Sequence, residues 1–251
     1  MAILYVAGEA AELKPFATAL TGLRKLKWPL DYAFEGILEG RRIMLAANGA
    51  GPNLAAQAVE VAIRAVSAAE LSSSKLEAVV TTGYCGALDP ALQESQIVLG
   101  TAILDLASQE TIDCETVHAA PEGFATGVVV SQDRIAIATS EKQQLHINGA
   151  IAVDMEAAGV ARRAKRAALP VYCIKVVSDL TDESFAFDLN KMRTTEGRIA
   201  RGKIVSYALS HPNLLPSLFR LKRRSEAAAK ALGDFLVSCR VKSEPDSTLP
   251  Q

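Results

Sequence analysis

In the stretch VDMEAAGVA (153–161) two carboxylates, Asp154 and Glu156, flank Met155 at the mouth of an alanine-rich run. A third, Asp179, follows Ser178 at the end of the apolar run VYCIKVV, and two more, Glu9 and Glu12, follow the first apolar run, AILYVA. Carboxylates held in different protonation states can do acid–base work, one giving a proton to a leaving group while another takes one from a nucleophile. Each alone has a simpler reading, because Asp or Glu in the first turn of a helix complements the helix dipole and caps free amides. Other chemistries lack their residues. His118, His146 and His211 have no Cys or carboxylate at zinc-ligand spacing, and neither a GxSxG elbow nor a P-loop GK[ST] occurs.

Strand-like runs that are β-branched and bounded by Gly, Pro or polar residues lie at 2–7, 42–47, 77–82, 96–104, 127–131, 150–153 and 171–177. Between them 11–21, 53–69, 133–145 and 155–168 read as helices, the last with Ala157, Val160, Ala161, Ala164 and Ala168 on one face. This alternation predicts an α/β domain over 1–240, with a mostly parallel sheet covered by helices on both faces and a site at the carboxyl ends of the strands. Glu9, Glu12, Asn48, Tyr84, Asp154, Glu156, Ser178 and Asp179 all fall just after predicted strands. The turn NGAGPN (48–53) could present amides to an anion, but Leu54 replaces the third glycine of a dinucleotide fingerprint and Pro52 lacks an N–H. SSS at 72–74 reads as a loop, and the polar tail 241–251 is expected to fray.

Composition agrees with this frame. Of 251 residues 49% are apolar and only 5% aromatic, which suits helices packed on a sheet. A net charge of −1 supplies no overall field for nucleic acid or an anionic membrane. The four cysteines show no CxxC spacing, so a reducing cytoplasm is expected, and the first apolar run is too short for a signal sequence or membrane span.

VDMEAAGVA followed by VVSD (176–179) resembles the signature of the purine nucleoside phosphorylase and 5′-methylthioadenosine/S-adenosylhomocysteine nucleosidase superfamily. TTGYCGALDP (81–90) is similar to its glycine-rich segment, NGAGPNLAAQ (48–57) to its strand-to-helix turn and VAGEAAEL (6–13) to its N-terminal segment, in family order over residues 2–182. The resemblance implies a three-layer nucleoside phosphorylase-like fold and an oligomer that cleaves the glycosidic bond of an adenosine-type nucleoside with no metal or organic cofactor. It implies that Met155 lies against the ribose, that Glu156 accepts hydrogen bonds from the 2′ and 3′ hydroxyls, and that Asp179, supported by Ser178, faces purine N7. Glu12 corresponds to the base that takes a proton from water in the hydrolytic branch. Gly83 and Tyr84 belong to the glycine-rich segment, and Ile135 stands where nucleosidases carry an aromatic beside the base. No role carries over to Glu9 or Asp154. For this chemistry Asp179 must hold a proton, above the ~3.9 of a free Asp, while Glu12 must stay ionised in a wetter setting or beside a donor.

Thr81 stands where hexameric phosphorylases have arginine, and Tyr84 where most relatives have serine, which favours water over phosphate. Arg41, Arg42 and Arg134 remain candidate contacts for inorganic phosphate as co-substrate. Residues 196–232, with GALDPAL (86–92) and AVDME (152–156), resemble the hopanoid-associated phosphorylases, whose substrate is an adenosine attached to a hopane lipid. Leu218, Leu221, Ala228, Leu232 and Phe235 form an apolar helical stripe beside Lys222, Arg223 and Arg224. Packing on the domain or a neighbouring subunit is its favoured reading, ahead of peripheral membrane contact or an apolar 5′ group. A nucleoside-binding protein without turnover is a third functional reading.

Overall fold

The first apolar run forms strand β1 (Ala2–Ala7), buried along its whole length because helices cover both of its faces. In this computed structural model the described residues are 1–68, 75–146, 149–185, 188–194, 198, 200, 202, 203, 207 and 210–241. The loop expected at 72–74 and all of the tail after Val241 lie outside them. After β1 come α1 (Ala10–Ala17), β2 (Thr21–Lys25), β3 (Tyr32–Leu38), β4 (Arg41–Ala47), α2 (Pro52–Ser67) and β5 (Leu76–Ala87). Then follow β6 (Ile97–Asp105), β7 (Glu110–Asp113), β8 (Ala125–Ser131), α3 (Thr139–His146), β9 (Ala150–Asp154), α4 (Ala157–Arg166), β10 (Val171–Asp179) and α5 (Leu215–Ser238).

The strands form one sheet in the order β10-β6-β8-β9-β5-β1-β4-β3-β2, with β7 beside β6. A further pairing of β10 with β5 closes β5, β9, β8, β6 and β10 into a ring. The sheet is mixed: β1 runs parallel to β4 and β5, β5 to β10, and β8 to β6 and β9. The pairs β2–β3, β3–β4, β5–β9, β6–β7 and β6–β10 are antiparallel. One apolar cluster joins the sheet to α2 and α4, and a second joins its other face to α1 and α5, giving three layers.

Three departures from the sequence-based expectation shape the site. The glycine-rich TTGYCGA is the second half of β5, so Gly83 and Tyr84 lie within a strand and not after one. It pairs there with the end of β10, setting Val176 against Tyr84 and Asp179 against Gly86. The helix expected over 133–145 begins only at Thr139. The backbone of Ile135 is taken up by the Asn190 side chain, whose Oδ1 accepts its N–H (2.8 Å) and whose Nδ2 donates to its carbonyl (3.1 Å). Helix α1 stops at Ala17, and the exposed strand β2, with Arg24 and Lys25, makes a charged edge that the apolar pattern did not announce.

Candidate active site

Glu12 is carried by the first turn of α1, which begins three residues after the end of β1. It is only 4% exposed, and its two oxygens accept backbone N–H groups from Tyr84 (2.8 Å) and Glu9 (2.5 Å). Gly83, at φ +112°, lets β5 come this close, since a Cβ there would stand 2.5 Å from Glu12 Oε1. Burial pushes the Glu12 carboxyl up to about 7, against the lowering effect of the Tyr84 and Glu9 amides. The wetter setting expected for this group is therefore not found, whereas the neighbouring donors are.

Asp154 and Glu156 divide their work at the start of α4. Asp154 Oδ2 accepts the N–H groups of Glu156 (3.2 Å) and Ala157 (2.8 Å), and Ser131 Oγ accepts that of Ala158 (3.1 Å), so side chains take up these three amides at the helix start. The same Asp154 oxygen lies 2.6 Å from Nζ of Lys175, a fully buried lysine in the middle of β10. Glu156 instead turns to the start of α2, where its Oε1 accepts the Gly51 N–H at 2.9 Å. Burial, then the Asp154 charge, push its carboxyl up to about 8, opposed by Lys175 and the Gly51 amide. Burial alone would lower Lys175; Asp154 and Glu156 outweigh it and leave the ammonium more firmly protonated than usual. Glu12 and Glu156 stand close together, since a methyl group added to Gly8 would meet Glu156 Oε1 at 3.0 Å and Glu12 Oε2 at 3.5 Å.

Asp179 closes β10. Ser178 Oγ donates to its Oδ1 (2.8 Å), and its Oδ2 lies 2.6 Å from Nζ of Lys142, a fully buried lysine on α3. Both contacts are donors to a carboxylate.

Glu12, Tyr84, Ile135, Met155, Glu156, Ser178 and Asp179 all line one cleft of about 290 Å³, joined by Glu9 and Asp154, while Gly83 stands behind Glu12. Arg134 lines it too and pairs with Glu141 at 2.7 Å. Arg41 lies elsewhere, near Glu77 (3.8 Å), and Arg42 is bound to Glu35. Sequence reasoning missed Lys142, Lys175, Phe185 and Ser225, and singled out Leu221 only as part of the C-terminal stripe. A lysine inside VYCIKVV was a usable signal, because a charge in a buried strand demands a partner. Lys142 looked like any polar helix residue. Phe185, in the segment after β10, lines the cleft as an aromatic beside Tyr84 and Ile135.

The C-terminal stripe packs inward. Ala228, Leu232 and Phe235 are buried in the second cluster, Leu221 reaches the cleft, and Tyr84 Oη donates to the Ser225 carbonyl at 2.9 Å, tying α5 to β5. Lys222 and Arg223 face solvent, whereas Arg224 turns in to Glu183. Among the described residues no helix is long and apolar enough to cross a membrane.

Solved structures with the same fold include the 5′-methylthioadenosine/S-adenosylhomocysteine nucleosidase of Neisseria meningitidis in complex with methylthio-immucillin-A. It is 20% identical, with a TM-score of 0.67 and coverage of 94% of this chain and 97% of that one. The futalosine hydrolase of Helicobacter pylori is 16% identical, with a TM-score of 0.68 and coverage of 95% and 96%. No curated protein matches. The phosphorylase superfamily model matches residues 11–210, a span that carries Glu12, Glu156 and Asp179, and the chain belongs to that superfamily.

Proposed function

We propose that the protein cleaves the N-glycosidic bond of an adenosine-type purine nucleoside, with water as the nucleophile. The observation that carries this reading is the meeting of Glu12, Glu156 and Asp179, from distant parts of the chain, around one cleft walled by Met155 and Phe185. The ribose hydroxyls donate to Glu156, and the purine lies with N7 toward Asp179. As the C1′–N9 bond breaks, its electron pair passes to the base and positive charge grows on the sugar. A proton delivered at N7 through Asp179 neutralises the departing base, and Glu12, once ionised, stabilises the sugar cation. Glu12 takes the proton of the water that attacks C1′. Side chains and water suffice for this scheme.

Two features support water over phosphate. Thr81 is fully buried outside the cleft wall, and Arg41 and Arg42 sit away from it. The similar structures are also a nucleosidase and a hydrolase by name. Arg134 on the cleft wall is the observation that keeps phosphorolysis, including that of an adenosine bearing a lipid, as the second reading. The test is to incubate the protein with methylthioadenosine, S-adenosylhomocysteine, adenosine and inosine, each with and without phosphate. Free base and free pentose without phosphate are expected. Ribose 1-phosphate formation would replace water by phosphate, and binding without base release would leave a nucleoside-binding protein.

A further inference from the structure

We infer that Lys142 is the source of the proton that Asp179 passes to the leaving purine. This rests on the nucleosidase reading and adds a residue to it. The Lys142 side chain is fully enclosed, and its Nζ is surrounded by Asp179 Oδ2 (2.6 Å), the Leu180 carbonyl (2.5 Å) and the Glu183 carbonyl (3.2 Å). The Phe185 ring, which walls the cleft, lies 5.8 Å away. An ammonium buried this deeply is more than a helix needs for its surface, and it is aimed at Asp179, the carboxylate that the nucleosidase reading sets against the base.

The pair explains how an acid can work when its free state accepts two hydrogen bonds. With the cleft open, Asp179 is the acceptor and Lys142 carries the proton. When a nucleoside fills the cleft and drives out water, the separated charges lose solvation and the neutral pair gains. One proton then moves from Nζ to Oδ2, and from there to N7 as the C1′–N9 electron pair moves onto the base. Asp179 returns to carboxylate, Lys142 is left as the amine, and solvent reprotonates it after the base departs. Lys142 thus acts through Asp179 as a positioning residue.

The other charged groups near Lys142 are engaged elsewhere. The Glu183 carboxylate is held by Arg224 of α5 and by the Leu180 N–H. On α3 itself, Glu141 meets Arg134 and Gln132, and His146 Nδ1 meets the Ala150 carbonyl.

The test is the pH profile of kcat/KM for base release by wild type and Lys142→Met. Without the lysine, Asp179 must take its proton from solvent, so the deficit should grow with pH. A loss of about 30-fold or more near pH 8.5, shrinking to about 3-fold or less near pH 5.5, is expected. Taking the ratio to wild type at each pH cancels the titration of Glu12. An equal loss at every pH, or no loss, overturns the inference by making Lys142 structural or idle. Lys142→Arg gives an independent reading should Lys142→Met not fold: it keeps the cation but not a readily transferable proton, so the same growing deficit is expected, and wild-type activity at every pH overturns the inference. Absence of base release by wild type at every pH defeats the nucleosidase reading and this inference with it, whereas release with a pH-independent Lys142→Met effect defeats the inference alone.

Discussion

Glu12, the base of the proposed reaction, is enclosed. Burial raises its carboxyl to about 7, while two amide donors hold its oxygens in place. Because only the ionised form can take a proton, kcat/KM should rise with pH through about 7, and Glu12→Gln should lower it at least ~100-fold near pH 7.5. A profile flat between about pH 5 and 8 would remove Glu12 from the nucleophile's side. Asp154 shows the opposite lesson. No role carried over to it from the resemblance, and in the fold it caps α4 and pairs with Lys175. Neighbouring carboxylates took different tasks because only one of them faces the incoming amide of Gly51.

At the scale of elements, the start of α4 is placed by its crossing with α2. Gly159 sits against the backbone of Pro52, where an added Cβ would overlap the Pro52 carbonyl group. Backbone cannot yield as a side-chain tip does, so Gly159→Ala should push the helices apart and loosen the Gly51–Glu156 hydrogen bond. Overpacking of this kind costs about 1–3 kcal/mol, which for a chain of this size lowers Tm by roughly 2–12 °C. Differential scanning calorimetry checks it, and an unchanged Tm would show that the crossing has slack. The glycine was visible in MEAAGVA, but its reason was not, because Pro52 is over a hundred positions away. The apolar runs of β1, β6 and β10 were legible for a plain reason: strands covered on both faces must be apolar throughout. Strands β2, β3 and β7 were not, since an exposed or one-sided strand has no such constraint.

Over the whole molecule, the site is a store of buried charge. Glu156 holds a proton in the folded state up to about pH 8, whereas an exposed glutamate gives it up near 4.5. The folded state therefore binds more protons than the unfolded one across that window, and stability falls as pH rises through it. Lys175 has its raised value above this window and does not counter the trend there. Glu156→Gln, which keeps an acceptor for the Gly51 N–H, should raise Tm by about 3 °C or more near pH 8.5 and by little near pH 4.5. An equal shift at both pH values would mean that packing, not ionisation, is what changed.

Local pattern alone determined that strands and helices alternate, and that acidic residues gather after several of the strands, because burial on two faces and helix starts leave marks a few residues long. The tertiary structure decided which of those acids face a common space and which cation each one meets. Lys142, Lys175 and Phe185 joined the site through contacts between segments far apart in the chain, and such contacts obey no spacing rule that a linear reading can follow.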